Sequence, residues 1–495
     1  MSQRWRLLVL SFLWIAGCGR EPPGDPRDLE AIAGCWEATE ISRPDRPPSE
    51  RALFSLRPNG SLALALTYEL GTRCRVRMPD LDVSVHDGKV VWDHHEGLLG
   101  ASRDTMEVTY ARGRERSRWQ FVRRRSADSL MAELLADPGS PYAYRPPEYL
   151  EDGWECGAIE AVGIKQGPIA DLIEEIRDGE HGDIHSMLVV KDGRLVVEEY
   201  FAVNGRKHGR LVTGLFRDRV HHLASTTKSV TSTLVGIAVD KGYIPDVEEP
   251  IFRFLPAYDT LFDQQKRRIR VRDMLTMTPG FEWRQFGVSD DRNDGMQMWH
   301  TPDVIRYVLQ KPLETEPGTR YNYTNGTPTV TGAILRSAVG MEVPAFAEEY
   351  LFGPLGITEY SWTSYPDGSL ETDGGLALRP RDLAKLGQMF LNGGVWISRR
   401  IVSEEWIREA TQPRLRFGKR NRWGYGYHWM QAESRIGDRV VKSYFVPGDG
   451  NQILAVFPEV NLVVVFTAGN YGVDPKSIYF ALFEEFVLPA VLPRE

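Results

Sequence analysis

The sequence has no apolar run long enough to cross a bilayer, no net positive charge, no internal repeat and no acidic cluster beside its His221-His222 pair. Each absence removes a class of function. The N-terminal apolar run, Leu7 to Ile15, falls well short of the roughly 20 residues that a membrane-spanning helix needs. A formal net charge of −8 over 495 residues argues against a nucleic-acid partner. His221 and His222 are sequence neighbours whose side chains do not converge, and no acidic cluster joins them, so neither a metal nor an organic cofactor is expected. What remains is ordinary soluble material, 42% hydrophobic and 26% charged, enough for two or three domains with substantial cores.

The first residues stand apart. Arg4 and Arg6 precede the apolar run, and Ala16, Gly17 and Cys18 follow it, which is the order of an export signal. Ile15-Ala16-Gly17-Cys18 resembles the bacterial lipobox. That resemblance implies a signal peptide over 1–17 and acyl chains on Cys18, holding the protein on a membrane of the bacterial cell envelope. Gly19 after the cysteine favours the outer membrane where the organism has one. A Pro- and charge-rich tether follows over 18–30. Export into an oxidising compartment leaves Cys35, Cys74 and Cys156, of which one must stay unpaired. We expect a Cys35–Cys74 bridge and a free, buried Cys156.

Residues 31–126 alternate short strand-like runs with turn signals such as Pro58-Asn59-Gly60 and Asp87-Gly88, which predicts a small all-β barrel or sandwich. A proline-containing linker covers 127–150. From 151 to 495 the pattern predicts a helix over 169–176, a hairpin turning at Asp192-Gly193, a long helical section to about Gly394, three strands between 440 and 467, and a closing helix over 475–487. Strands at both ends with helices between them suggest an α+β domain. Its antiparallel sheet is built from both ends of the segment, flanked by helices and carrying a helical subdomain.

Three stretches carry chemistry. In His222-Leu223-Ala224-Ser225-Thr226-Thr227-Lys228, a serine and a lysine three apart at the mouth of a helix share one face. A serine hydroxyl is a poor nucleophile until a neighbouring base takes its proton, and the apolar segment behind Lys228 supplies desolvation. Alone the spacing is common, and a helix cap with a solvated lysine would explain it equally. In Tyr323-Thr324-Asn325 the tyrosine suits a proton relay, while the asparagine suits a hydrogen bond to Lys228 or to a substrate carbonyl. In Val446-Pro447-Gly448-Asp449-Gly450 the glycines allow close approach to the backbone, and the Asp449 amide is a candidate partner for that of Ser225 in holding an oxyanion. Asp273 and Asp382 stand at expected helix starts as caps. Trp283, Trp299 and Trp362 are candidates for an apolar pocket or for core.

The order SxxK, YxN and glycine-rich strand resembles the β-lactamase-related serine hydrolase superfamily of class C β-lactamases, DD-peptidases and esterases. Asp152-Gly153-Trp154, Asp273-Met274-Leu275, Gly374-Gly375-Leu376, Arg379 to Lys385 and Tyr425-Gly426-Tyr427-His428-Trp429 are similar to its 6-aminohexanoate-dimer hydrolase-like branch. The resemblance covers roughly 145–490. It implies Ser225 as nucleophile, Lys228 as base, Tyr323 as proton relay, and Asn325, Gly448 and Asp449 in the oxyanion and substrate-binding set. It also implies a small ester or amide as the partner of the site. DD-peptidase or weak β-lactamase activity is an alternative, as is a binding or sensing lipoprotein without turnover. Two departures stand out: no lysine or histidine occupies the third strand, and Asp449 sets a negative charge beside the expected oxyanion site.

Overall fold

The computed structural model describes residues 141–202, 210–211, 217–418, 422–471 and 475–492, together with the backbone of nine strands between 34 and 125. The expected signal segment, Cys18, the expected tether and the expected Cys35–Cys74 pairing lie outside what it describes. Contacts divide the chain into two compact units, 1–131 and 132–495. In the first, strands Gly34–Glu40, Glu50–Leu56 and Leu62–Leu70 pair in series, and Glu115–Arg125 pairs back onto Gly34–Glu40. Every pairing among the described strands of this unit is antiparallel.

The second unit is built on a sheet of strands β1 (Glu155–Cys156), β2 (Ile184–Lys191), β3 (Arg194–Ala202), β4 (Leu415–Phe417), β5 (Trp423–Tyr425), β6 (Met430–Ile436), β7 (Arg439–Gly448), β8 (Gln452–Phe457) and β9 (Leu462–Ala468). Their spatial order is β1-β3-β2-β9-β8-β7-β6-β5-β4. The short β1 runs parallel to β3, and the rest of the path is antiparallel. β2 is bonded to β9, Leu188 opposite Val465, so the two ends of the unit share one sheet as expected. The hairpin at Asp192 and Gly193 also forms, both residues taking positive φ.

β8 and β9 are apolar at nearly every position and buried throughout, which requires cover on both faces. Alternate side chains feed two cores. Leu188, Val190, Leu454, Val456, Val463 and Val465 share a core with helices α2 (Thr227–Asp240), α3 (Gly326–Val339) and α4 (Pro380–Leu391). Met187, Val189, Ile453, Ala455, Val464 and Phe466 face α1 (Gln166–Arg177) and α5 (Pro475–Leu482). After α5 the chain widens into a π turn over Phe483–Val487 before one further helical turn. α4 lies close on the sheet because residue 387 is glycine; a Cβ there would sit 2.5 Å from Leu454 Cδ1.

One buried guanidinium ties this layer together. Arg381 donates from Nε to Asp152 and from Nη1 to Glu198, each at 2.6 Å, while Trp154 Nε1 donates to the Arg381 carbonyl. Burial raises the Glu198 carboxyl to about 7 despite that partner. Asp382 is not a helix cap: no side-chain cap is present on α4. Its carboxylate is buried between Arg379 at 2.6 Å and Lys385 at 2.9 Å, because α4 starts inside the protein with cations on either side. Asp273 does take the expected role and accepts from the Arg270 amide. Cys156 is free but half-buried rather than buried, since the edge strand β1 leaves one side open; its Sγ lies 3.6 Å from Arg381 Nη2.

Candidate active site

The turn that presents Ser225 is sharp. Ala224 takes φ +46, a left-handed conformation uncommon outside glycine, and Ala224–Thr226 form a single 3₁₀ turn before α2 begins. The side chains after the serine each hold a neighbour in place. Thr226 Oγ1 donates to the Val446 carbonyl, Thr227 Oγ1 accepts from the Leu376 amide, and Ser229 Oγ donates to the His428 carbonyl. Lys228 lies one turn along and is 2% exposed.

Lys228 Nζ lies within hydrogen-bond reach of three oxygens. Ser225 Oγ is at 2.9 Å, Asn325 Oδ1 at 3.2 Å and the Asp373 carbonyl at 2.6 Å. The ring of Tyr323 faces the same amine, its centroid 5.1 Å from Nζ. Residues 225, 228, 323 and 325 therefore converge, as the sequence led us to expect. Gln285 holds the loop that carries Tyr323 and Asn325: its Oε1 accepts from the Asn325 amide and from Trp283 Nε1, both at 3.0 Å. Trp283 is buried beneath that loop, and Trp362 donates from its indole to the Glu371 carbonyl. Trp299 is at the surface, against Tyr365.

The end of β7 closes on the same turn. A Cβ on Gly448 would collide with the Leu223 carbonyl oxygen, so only glycine lets the strand end approach the residues before Ser225. Asp449 is exposed, and its Oδ1 accepts from the Gly450 amide at 2.9 Å. Its charge is thereby engaged by its own turn and by solvent. Gln452, fully buried, pins the loop by donating to the carbonyls of Asp449 and Ala468 and accepting from the Ala468 amide.

Several contributors escaped the sequence reading. Asp373 offers Lys228 a main-chain oxygen while its carboxylate accepts from Tyr365 at 2.7 Å and Thr329 at 3.1 Å. Only the adjacent Gly374-Gly375 pair pointed there. His428 has positive φ and is buried; burial, and secondly the Lys228 charge, lower its imidazole to about 3. His221 is likewise lowered to about 3 by burial and by His185, whose Nδ1 is 2.8 Å from its Nε2. Glu371 goes the other way: burial, then the Asp373 charge, raise its carboxyl to about 7, against the opposing pull of Thr363 and Lys228. Among the described residues no group of three or more histidine, cysteine or acidic side chains is arranged to hold a metal ion.

A buried lysine bonded to a serine at a helix mouth, with a tyrosine and an asparagine alongside, is suited to activating a hydroxyl for acyl transfer. Known proteins place the same segments in one family. The chain is 25% identical over 233 residues to the 6-aminohexanoate-dimer hydrolase of Paenarthrobacter ureafaciens, covering 45% of this chain and 55% of that protein. It is 25% identical over 177 residues to the N-acetylmuramyl-L-alanine amidase of Bacillus subtilis, covering 34% and 40%. The chain thus spans about half the length of these relatives. A penicillin-binding protein homologue from Caulobacter crescentus superposes with a TM-score of 0.51 at 17% identity over 66% of this chain and 99% of that one. A class C β-lactamase superposes with a TM-score of 0.50 at 14% identity over 67% and 97%. These two show the shared fold. With the β-lactamase family model matching residues 169–479, the chain belongs to the β-lactamase family of serine hydrolases.

Proposed function

We propose that this protein cleaves an ester or a small amide through an acyl-enzyme on Ser225, while Cys18 tethers it to the cell envelope. The observation that carries the reading is the 2.9 Å hydrogen bond between Lys228 Nζ and Ser225 Oγ, made inside a site that also holds Asn325 and the ring of Tyr323. In the first half-reaction the Lys228–Tyr323 pair starts one proton short of full protonation, and Ser225 Oγ bonds to the carbonyl carbon as its own proton passes to that pair. The tetrahedral oxyanion sits against the amides of Ser225 and Asp449, and the leaving group departs with the proton returned by Tyr323. Water repeats the sequence on the acyl-enzyme and releases the acid.

Esters and small amides rank ahead of peptidoglycan-type D-amino peptides and of β-lactams because Val446 to Asp449 offers no cation to hold a substrate carboxylate. A fluorophosphonate probe tests the reading. An adduct on the peptide carrying Ser225 is expected, absent in Ser225→Ala; a folded protein that takes no label would leave only a binding role. Tyr323→Phe is expected to lower ester turnover by about two orders of magnitude or more with an unchanged melting temperature. For the tether, radiolabelled palmitate should enter the full chain and not Cys18→Ser.

A further inference from the structure

The two amides assigned to the oxyanion come from segments far apart along the chain. The Ser225 amide follows the short strand pairing of His221 and His222 with Leu378 and Ala377, and the Asp449 amide belongs to the loop between β7 and β8. Gly448 limits how near the two segments come, since a Cβ there would strike the Leu223 carbonyl oxygen. Close approach alone does not hold them together; a series of hydrogen bonds does. The Gly450 carbonyl accepts from the Asn470 amide at 3.0 Å, Asn470 Oδ1 accepts from the Asp183 amide at 2.6 Å, and the Asp183 carbonyl accepts from the Gly469 amide at 2.7 Å. Two residues on, in β2, His185 Nδ1 lies 2.8 Å from His221 Nε2.

Chemistry fixes the direction of the two imidazole bonds. Burial, and secondly His185, lower the His221 imidazole to about 3, so near neutral pH only one of its nitrogens carries a hydrogen. That nitrogen is Nδ1, which lies 2.9 Å from the His222 carbonyl, a group that can only accept. Nε2 is therefore the acceptor, and His185 Nδ1 donates to it. On its far side His185 Nε2 is 3.3 Å from Asp183 Oδ1, a buried oxygen with no other hydrogen-bond partner among the described residues. Residue 469 is glycine where this pair packs: a Cβ there would lie 2.5 Å from Asp183 Oδ2 and 3.1 Å from His185 Nε2. We propose that His185 is a positioning residue for acyl transfer, tying the segment that runs into Ser225 to the loop that carries Asp449 and so fixing the two amides relative to each other. This rests on the acyl-enzyme reading above.

The test uses the full chain, 4-nitrophenyl butyrate as the ester, and phenylboronic acid, whose tetrahedral adduct on a serine places an oxygen where the oxyanion would sit. His185→Phe keeps a ring and loses both nitrogens. In it kcat is expected to fall about tenfold and the boronic acid inhibition constant to rise by about the same factor, with KM within about twofold of wild type. His185→Asn retains a donor in the place of Nδ1 and should recover kcat to within about threefold of wild type. Should His185→Phe not fold, Asp183→Ala, which keeps both main-chain bonds of that residue, is expected to show the same split with kcat lowered about threefold. Wild-type kcat and inhibitor affinity in His185→Phe, a loss confined to KM, or a His185→Asn no more active than His185→Phe would overturn the assignment. The last of these, with lowered melting temperatures in both, would mark His185 as a support for the fold alone. Failure of the acyl-enzyme reading looks different: the wild-type chain itself turns over no ester and forms no fluorophosphonate adduct.

Discussion

At the scale of single residues, the site depends on places where a side chain had to be omitted. Gly448 is the clearest, because the atom it lacks would strike main chain that cannot rotate away. Gly448→Ala is expected to cost about 1–3 kcal/mol in urea unfolding and to lower ester turnover further than that loss explains, since the strand end and the Ser225 turn would be pushed apart. A variant with wild-type turnover would show that the two are not coupled. Ala224 shows the opposite tension. It holds φ +46 with a Cβ, immediately before Ser225. Ala224→Gly should relieve roughly 1 kcal/mol of backbone cost while freeing the turn, so a melting temperature that is level or higher, with reduced turnover, is the expected pairing.

At the scale of elements, α4 is fixed by charge as much as by apolar contact. Arg381 serves β1's neighbourhood through Asp152, β3 through Glu198 and the Cys156 sulfur at once. Removing it strands buried carboxylates, so Arg381→Ala should destabilise by about 3–5 kcal/mol, read from the urea midpoint. The same contacts explain what was legible beforehand. Asp152-Gly153-Trp154 and Arg379 to Lys385 stood out as motifs, yet nothing local said that they meet, because the link is a salt bridge spanning 229 positions. Strands β8 and β9 announced themselves as uniform apolar runs. β6 did not: Met430, Ala432 and Ser434 point inward between Gln431, Glu433 and Arg435, a half-polar alternation that gives little signal near a sheet edge. Ser225, Lys228, Tyr323 and Asn325 were candidates from residue type and spacing, and only the order of their motifs along the chain made the set specific. Gln285 and Asp373 were not, since one acts through an amide and the other through a carbonyl, which any residue possesses.

For the whole molecule, buried imidazoles set the acid limit. His221 and His428 are held near 3 in the fold, against about 6.5 when unfolded. Between those values the unfolded chain binds more protons, so stability is fully present above about 6.5 and is lost as pH falls through the window. Glu198 and Glu371, raised to about 7, act with the opposite sign between 4.5 and 7, so the comparison must be between variants. His428→Asn, which suits left-handed backbone, should flatten the fall of melting temperature between pH 6.5 and 4; an unchanged slope would remove His428 from the account.

The hydrogen bonding of β2 to β9 also bears on synthesis. A ribosome will have released Ser225, Lys228 and Tyr323 long before it makes the strand that completes their platform. The nascent chain must therefore carry these side chains without a finished scaffold until residue 468 is out. A chain halted at 461 should be found with chaperones or proteases rather than with labelled serine.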